Sequence, residues 1–508
     1  MWKRYRTVIL AWAALCVVYV LTRLVNLGII PIFTDEAIYL RWSQIMAYDA
    51  SLRYLPLVDG KPPLFMWAVS GVLRLLPVFD PVISGRLVSV AAGFGGMVGI
   101  YLLARQVFGD RKIAYLSAVL YLLVPFTFFY DRFGLADTML AMWATWSLVL
   151  GIWLARSLRP DAALLLGWAV GFGLLTKTPA LFFLLFQPLL LVFFDWQKER
   201  RPTRLLIWAG LLGVALFEAE LIYGILRLFP LFHMVAQKNA EFVVSFGEFL
   251  RHPFSLFRDN ALTLLRWQIG YLTVPVAFFT LFGAALAIVR KNITAFVLLA
   301  VYLCFFIAMA SFNKSIFPRF LLTFTPPLLV LAAAGIVKFS HLPKIKFLSP
   351  PKLLLLITAG VLFIPLFTDF KLVTDPPGAP IPDGDSHQYI NGWPAGYGVK
   401  EIRDFLTAQS QQYPEVLIGT EGTFGLMPYS LQLYQKDYPN VRIKDYWPLP
   451  EKVPAEIALA AKSQPTFFVV YQRPQPPISW KVKLLAKYQQ GNSGDYLQLY
   501  QVLPGNDQ

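Results

Sequence analysis

The sequence predicts a polytopic α-helical membrane protein of about eleven spans with an extracytoplasmic α/β domain at its C-terminus. Three observations carry that prediction. Of the 508 residues, 57% are hydrophobic and only 15% charged, whereas soluble globular domains run at about 45–50% and about 25%. Mean hydropathy is +0.55. Apolar runs of spanning length recur from the N-terminus to about residue 368, after which the pattern changes to short segments.

The runs lie at about 7–27, 82–105, 113–130, 137–156, 162–176, 179–194, 204–228, 271–290, 294–312, 319–338 and 352–368, close to the ~20 residues that cross a hydrocarbon core. The stretch 162–194 has two readings: two short helices meeting at Thr176–Lys177, or one span and a re-entrant piece. The first run, within MWKRYRTVILAWAALCVVYVL, is long and no small-residue cleavage site follows it, so it reads as an uncleaved first span. Lys3, Arg4 and Arg6 place the N-terminus in the cytoplasm. The returns to that side carry Arg111 and Lys112, then Arg156 and Arg159, then Lys198, Arg200, Arg201 and Arg204, then Arg290 and Lys291, and last Lys338, Lys344, Lys346 and Lys352. Each is short and basic, as the positive-inside rule requires. The net charge of +15 follows from these loops, and no basic helix or nucleic-acid-binding fold accompanies it. Cys16 and Cys304 both lie in apolar runs, which implies neither a disulfide framework nor a cysteine metal site.

The membrane domain thus covers 1–368, with large outer loops at 28–81 and 229–269, and the tail 369–508 lies outside. The tail enters through the linker DPPGAPIPDGDS. GVKEIRDFLTAQSQQ reads as an amphipathic helix, and EVLIG, VRIKDY, PTFFVVY and DYLQLYQV read as strands. Gly419, Gly422 and Gly425 in GTEGTFG do not make the dinucleotide fingerprint, so no nucleotide cofactor is expected there. Trp393, Tyr397 and Trp447 could stack on sugars or simply pack.

Chemistry-bearing residues concentrate on the outer side. Asp35 and Glu36 in PIFTDEAIYL follow the first span, and Asp59 and Lys61 lie in VDGKPPLFMW. These carboxylates are either solvated loop charge or a general base, since partial desolvation raises a carboxyl pKa toward proton-abstracting range. YDRFGLADT joins the third and fourth spans and holds Asp131, Arg132 and Asp137. Asp137 also suits a helix start. Lys177 in GLLTKTPALFF, and Lys314 and Arg319 in SFNKSIFPRFLL, either snorkel or meet an anion. With Lys61 and Arg132 they would stabilise a leaving phosphate. Glu218 and Glu220 fall inside an apolar run, two residues apart and therefore on different helix faces. His233 is a further candidate, but one histidine makes no metal site.

TDEAIYL, GKPPLFMW followed by GRLVSVAAG, FGLADTML and GLLTKTPALF, in this order and sidedness, resemble the GT-C superfamily of membrane glycosyltransferases. The likeness is to its bacterial protein-O-mannosyltransferase-like and lipid A aminoarabinose-transferase group, and it covers about residues 1–200. The middle and tail match only in layout, although GWPAGYGVKEIRDFL also looks like tails of bacterial members. The resemblance implies a GT-C fold in a plasma membrane and a polyprenyl-phosphate-linked sugar as donor. The acceptor would be a protein, lipid or glycan hydroxyl, and the displacement direct and inverting. It implies Asp35 as base with Glu36 beside it, Lys61 on the lipid phosphate, Asp137 near the site, and Lys177 in a T-K-G-type motif where Thr178 replaces the usual glycine. Some members use a divalent metal; no His/Asp cluster here demands one. Two other readings are a flippase or transporter of lipid-linked sugars, toward which only Glu218 and Glu220 lean, and a non-catalytic acceptor-binding member of the same fold.

Overall fold

The computed structural model describes residues 2–342 and 349–505, with side chains from Arg6 onward. Lys344 and Lys346 of the last basic loop, and the side chains of Lys3 and Arg4, lie outside the described residues. In lipid every backbone polar group must be satisfied within the segment, so the apolar runs become helices. Up to residue 374 the helices, those of the loops included, are α1 Trp2–Leu24, α2 Thr34–Tyr48, α3 Leu64–Leu75, α4 Pro81–Phe108, α5 Arg111–Leu123, α6 Pro125–Tyr130, α7 Ala136–Ser157, α8 Pro160–Thr176, α9 Leu181–Leu185, α10 Arg201–Gly224, α11 His233–Phe242, α12 Phe246–Arg251, α13 Phe257–Leu272, α14 Val274–Val289, α15 Ile293–Phe312, α16 Arg319–Leu322, α17 Thr325–Phe339 and α18 Pro350–Thr374.

All eleven expected runs are helical, but not all as single rods. Among the described residues six helices are individually long and apolar enough to cross a membrane: α1, α4, α7, α10 with its continuation to Leu228, α15 and α18. A seventh candidate is the pair α13–α14, bent by 108°. The bend sits at Thr273, whose φ is +66°, with Pro275 in the first turn of α14. The expected span at 271–290 is therefore only the second limb, and the first limb lies largely in what reads as outer loop. Proline interrupts other runs as well, because it lacks a backbone donor and clashes with the preceding turn. Pro125 separates α5 from α6, and Pro179 and Pro188 divide 178–193 into short turns. Lys177, extended at φ −165° and ψ 146°, ends α8, so 162–194 is two short helical pieces meeting there.

The chain forms two compact units. One comprises Met1–Val25, Arg53–Ala68 and Arg86–Phe370; the other comprises Asn26–Leu52, Val69–Gly85 and Lys371–Gln508. This differs from a division that leaves the whole 28–81 loop with the membrane helices. The reason is α2. It buries most of its residues and joins the tail through Gln44 Nε2, which donates to the Leu433 carbonyl (2.9 Å), and Arg41 Nε, which donates to Gln432 Oε1 (3.2 Å).

The tail contributes α19 Asp383–Asp385, α20 Val399–Gln412, α21 Leu426–Gln432 and α22 Ala455–Ala460 around strands β1 Val416–Glu421, β2 Val441–Tyr446, β3 Thr466–Val470, β4 Val482–Gln489 and β5 Tyr496–Val502. The sheet order is β2-β1-β3-β5-β4, with β1 parallel to β2 and β3, and β5 antiparallel to β3 and β4. The amphipathic helix and four strands match their expected segments. Edge strand β4, in KVKLLAKYQQ, is additional; its lysines mask the strand pattern, as charged edges commonly do.

Candidate active site

In the membrane unit the K-P-P segment is held by main-chain geometry. A 3-10 turn, Leu55–Asp59, ends at Gly60 with φ +63°, and Lys61 N donates back to the Pro56 carbonyl (3.0 Å). Any Cβ at Gly60 would collide with the Met234 carbonyl oxygen and Lys238 Cβ of α11. Only glycine tolerates both the left-handed turn and that approach. Lys61 Nζ then lies 3.1 Å from Asp59 Oδ2, while Lys238 Nζ lies 3.0 Å from Asp59 Oδ1 and 3.0 Å from Glu241 Oε2.

Helix α11 ties together two further candidate segments. Thr178 Oγ1 donates to Asn239 Oδ1 (3.0 Å), next to Lys177. Lys314 Nζ donates to the Ala240 carbonyl (3.2 Å), and Val243 forms an antiparallel bridge with Asn313. Lys177 Nζ meets Asp137 Oδ1 at 2.7 Å and lies 5.5 Å from the centre of the Phe320 ring. Asp137 is 4% exposed, so the lysine neutralises a carboxylate at the buried start of α7. The departure from the usual glycine at Thr178 thus has a local use: its hydroxyl secures α11. Arg319 stacks 4.9 Å from the Phe317 ring.

Asp131 and Arg132 belong to a different, fully buried group. Arg23 Nε donates to Asp131 Oδ2 (3.1 Å), and the Tyr19 and Tyr121 hydroxyls also reach Asp131, at 3.3 and 3.4 Å. Arg132 Nη1 donates to the carbonyls of Thr22 (3.0 Å) and Arg23 (2.9 Å), capping the end of α1. Asp369 of α18 is buried in the same unit, and among the described residues neither of its carboxylate oxygens has a hydrogen-bond partner. Here Arg132 fastens the turn leading into Asp137 to the first helix. Arg23 and Asp369 escaped sequence reading, although an ionisable residue inside an apolar helix is itself a signal.

The remaining candidates sit on α10 and α11. Glu220 pairs with Arg227 and, with Tyr223, His233 and Asn239, lines a cavity of about 270 Å³ whose other walls are largely apolar. His233 Nδ1 is 3.0 Å from the Pro230 carbonyl oxygen. Glu218 points elsewhere, against Gly167 of α8, as its spacing from Glu220 requires. Neither glutamate lies on a broken helix, so neither lends weight to a transport pathway. Among the described residues no three His, Cys, Asp or Glu side chains converge on a point.

In the second unit Asp35 and Glu36 open α2. Glu36 is buried and its carboxylate accepts the Phe33 N–H (3.3 Å), the return half of a capping arrangement. Asp35 is half-buried in the first turn, where the helix dipole favours an ionised carboxylate. The tail fixes this segment. Phe33 bridges Ala395 in antiparallel fashion and packs on Tyr389 (4.4 Å between ring centres), and Thr34 Oγ1 donates to the Pro394 carbonyl (3.1 Å). A Cβ on Gly396 would stand 2.5 Å from the Ile32 carbonyl oxygen. The GWPAGYG motif is therefore a backbone clamp on the acidic pair.

With this geometry in view, comparison with known proteins decides the fold. The chain superposes on crystal structures of ArnT from Cupriavidus metallidurans. The apo form matches at TM-score 0.58 and 16% identity over 98% of both chains, and the form bound to undecaprenyl phosphate at 0.58 and 16% over 99% of both. It also matches the oligosaccharyltransferase AglB from Archaeoglobus fulgidus, in complex with an inhibitory peptide and a dolichol-phosphate, at 0.50 and 13% over 92% of this chain and 70% of that one. The chain has the GT-C fold. Residues 60–223 of the chain match the family described as dolichyl-phosphate-mannose-protein mannosyltransferase, a segment holding Lys61, Asp131, Arg132, Asp137 and Lys177. Over 153 residues it is 27% identical to undecaprenyl phosphate-alpha-4-amino-4-deoxy-L-arabinose arabinosyl transferase 2 of Proteus mirabilis (strain HI4320), a match spanning 28% of this chain and 27% of that relative. A multi-pass membrane architecture follows from the fold and the apolar helices.

Proposed function

We propose that this GT-C protein is a glycosyltransferase that moves a sugar from a polyprenyl-phosphate donor to an acceptor hydroxyl on the outer face of a plasma membrane. The observation that carries the reading is Lys61: a half-buried ammonium on a rigid turn, inside the segment that matches a family of lipid-phosphate-sugar enzymes. In this reading the N-terminus is cytoplasmic and the second unit lies outside.

The step is a direct displacement. Asp35 takes the proton of the acceptor hydroxyl, whose oxygen forms a bond to the anomeric carbon as the bond from that carbon to the phosphate oxygen breaks. The electron pair leaves with the phosphate, and inversion follows from attack opposite the leaving group. Lys61 stabilises the charge that develops on the phosphate. Lys177 offsets the charge of Asp137, while Lys314 and Arg319 add to the positive potential on the outer side of the membrane unit. Glu36 caps the helix that carries Asp35. The acceptor is a protein, lipid or glycan.

The test is an assay of sugar transfer from a panel of radiolabelled polyprenyl-phosphate sugars, with protein in detergent plus native lipid and an envelope fraction as acceptor. Wild type should consume one donor, and Asp35→Asn should not. No donor consumed by folded wild type would sink the transferase reading. Chelation followed by magnesium or manganese re-addition, in the same assay, decides metal dependence.

A further inference from the structure

Asp59 plays no part in the scheme above, yet its carboxylate holds a distinctive position. Its two oxygens face two ammonium groups from distant parts of the chain, Lys61 at 3.1 Å and Lys238 at 3.0 Å. All three side chains are between 21% and 29% exposed, so solvent reaches them from one side. Asp59 is not what sets the spacing of the lysines. The Gly60 backbone rests on Met234 and Lys238 of α11, and that main-chain contact would remain without the carboxylate. Burial tends to lower the Lys238 pKa, but hydrogen bonds with Asp59 and Glu241 outweigh it and raise the value, so the ammonium stays charged at neutral pH.

Two fixed ammonium groups bridged by one small anion form a phosphate-shaped site. A phosphate, like a carboxylate, offers two oxygens on one central atom and can face both donors at once. We propose that Asp59 is the resident counter-anion of a two-lysine site, and that the donor phosphate binds by displacing it. The proposal rests on the reading of Lys61 as a phosphate residue; it adds Lys238 as the second ligand and Asp59 as the competitor. No covalent bond changes: the carboxylate turns toward solvent, where its charge is screened. Together with Glu241, which also meets Lys238, it balances the two ammonium charges while the site is empty. It also weakens retention of the lipid phosphate that remains after transfer, which a turnover cycle must release.

The experiment measures binding of a polyprenyl phosphate, and of the uncharged polyprenol of the same length, to the full chain in detergent micelles. Asp59→Asn should bind the phosphate about tenfold tighter and Lys238→Gln about tenfold weaker, with Lys238→Arg near wild type and the alcohol unaffected throughout. Each variant's melting temperature verifies folding. If folded Asp59→Asn binds the phosphate equally or more weakly, Asp59 organises the lysines instead of competing for them, and the proposal falls. If Lys61→Gln weakens phosphate binding while Asp59→Asn and Lys238→Gln change nothing, this proposal fails and the phosphate role of Lys61 stands. If Lys61→Gln itself has no effect, the underlying reading fails.

Discussion

The two units hold their charged candidates by opposite means. In the membrane unit, cations are balanced by side-chain carboxylates: Lys61 and Lys238 by Asp59, Lys177 by Asp137, Arg23 by Asp131. In the second unit the acidic pair is set mainly by backbone, through the start of α2, the Phe33–Ala395 bridge and the Gly396 contact with Ile32. The difference follows from cost. An unpaired charge among apolar helices carries a heavy desolvation penalty, which the counter-charge offsets in these three clusters. A carboxylate at a helix start beside water is already favoured and needs only to be aimed.

This contrast can be broken by substitution. The largest effect is expected for Asp35→Asn: sugar transfer should fall by about 100-fold to about 10,000-fold, as for loss of a general base, with the melting temperature unchanged. Gly396→Val should lower the transfer rate about 100-fold while leaving donor KM in place, because misaiming a catalytic group by an ångström costs that much. A rise in donor KM instead would show that the clamp does not serve the acidic pair. In the membrane unit, Asp137→Asn and Lys177→Met should each lower the melting temperature and raise donor KM. A double-mutant cycle should return a coupling of about 0.5–3 kcal/mol; additive losses would dissolve the pair as a unit.

Smaller effects should mark residues outside the proposed chemistry. Glu421 ends β1, is fully buried and accepts from the Tyr471 and Gln472 amides (both 3.0 Å) and from Arg473 Nε (2.6 Å). Glu421→Gln should cost about 1–3 kcal/mol of stability, read by denaturant unfolding, with the transfer rate of the folded protein unchanged. Glu220→Gln breaks an exposed pair with Arg227, and its effect on melting should be near zero.

The sequence by itself determined the helical membrane architecture, the existence of the α/β tail, and the segments in which chemistry collects. Hydropathy and strand alternation are local signals, repeated every few residues, and bulk charge does not obscure them. The proline breaks were not read there: hydropathy gives 113–130 as one run, although Pro125 divides it. Only the tertiary structure decided the partners. Lys238 lies in the unremarkable helix VAQKNAEF, and its place beside Asp59 depends on a glycine turn pressing against α11. The assignment of 26–52 to the tail's unit depends on α2 packing over α21, and β4 became visible only as the partner of β5. Such contacts join residues far apart along the chain. No periodicity encodes them, and they are chosen by which buried charges and which close backbone approaches the folded chain can satisfy together.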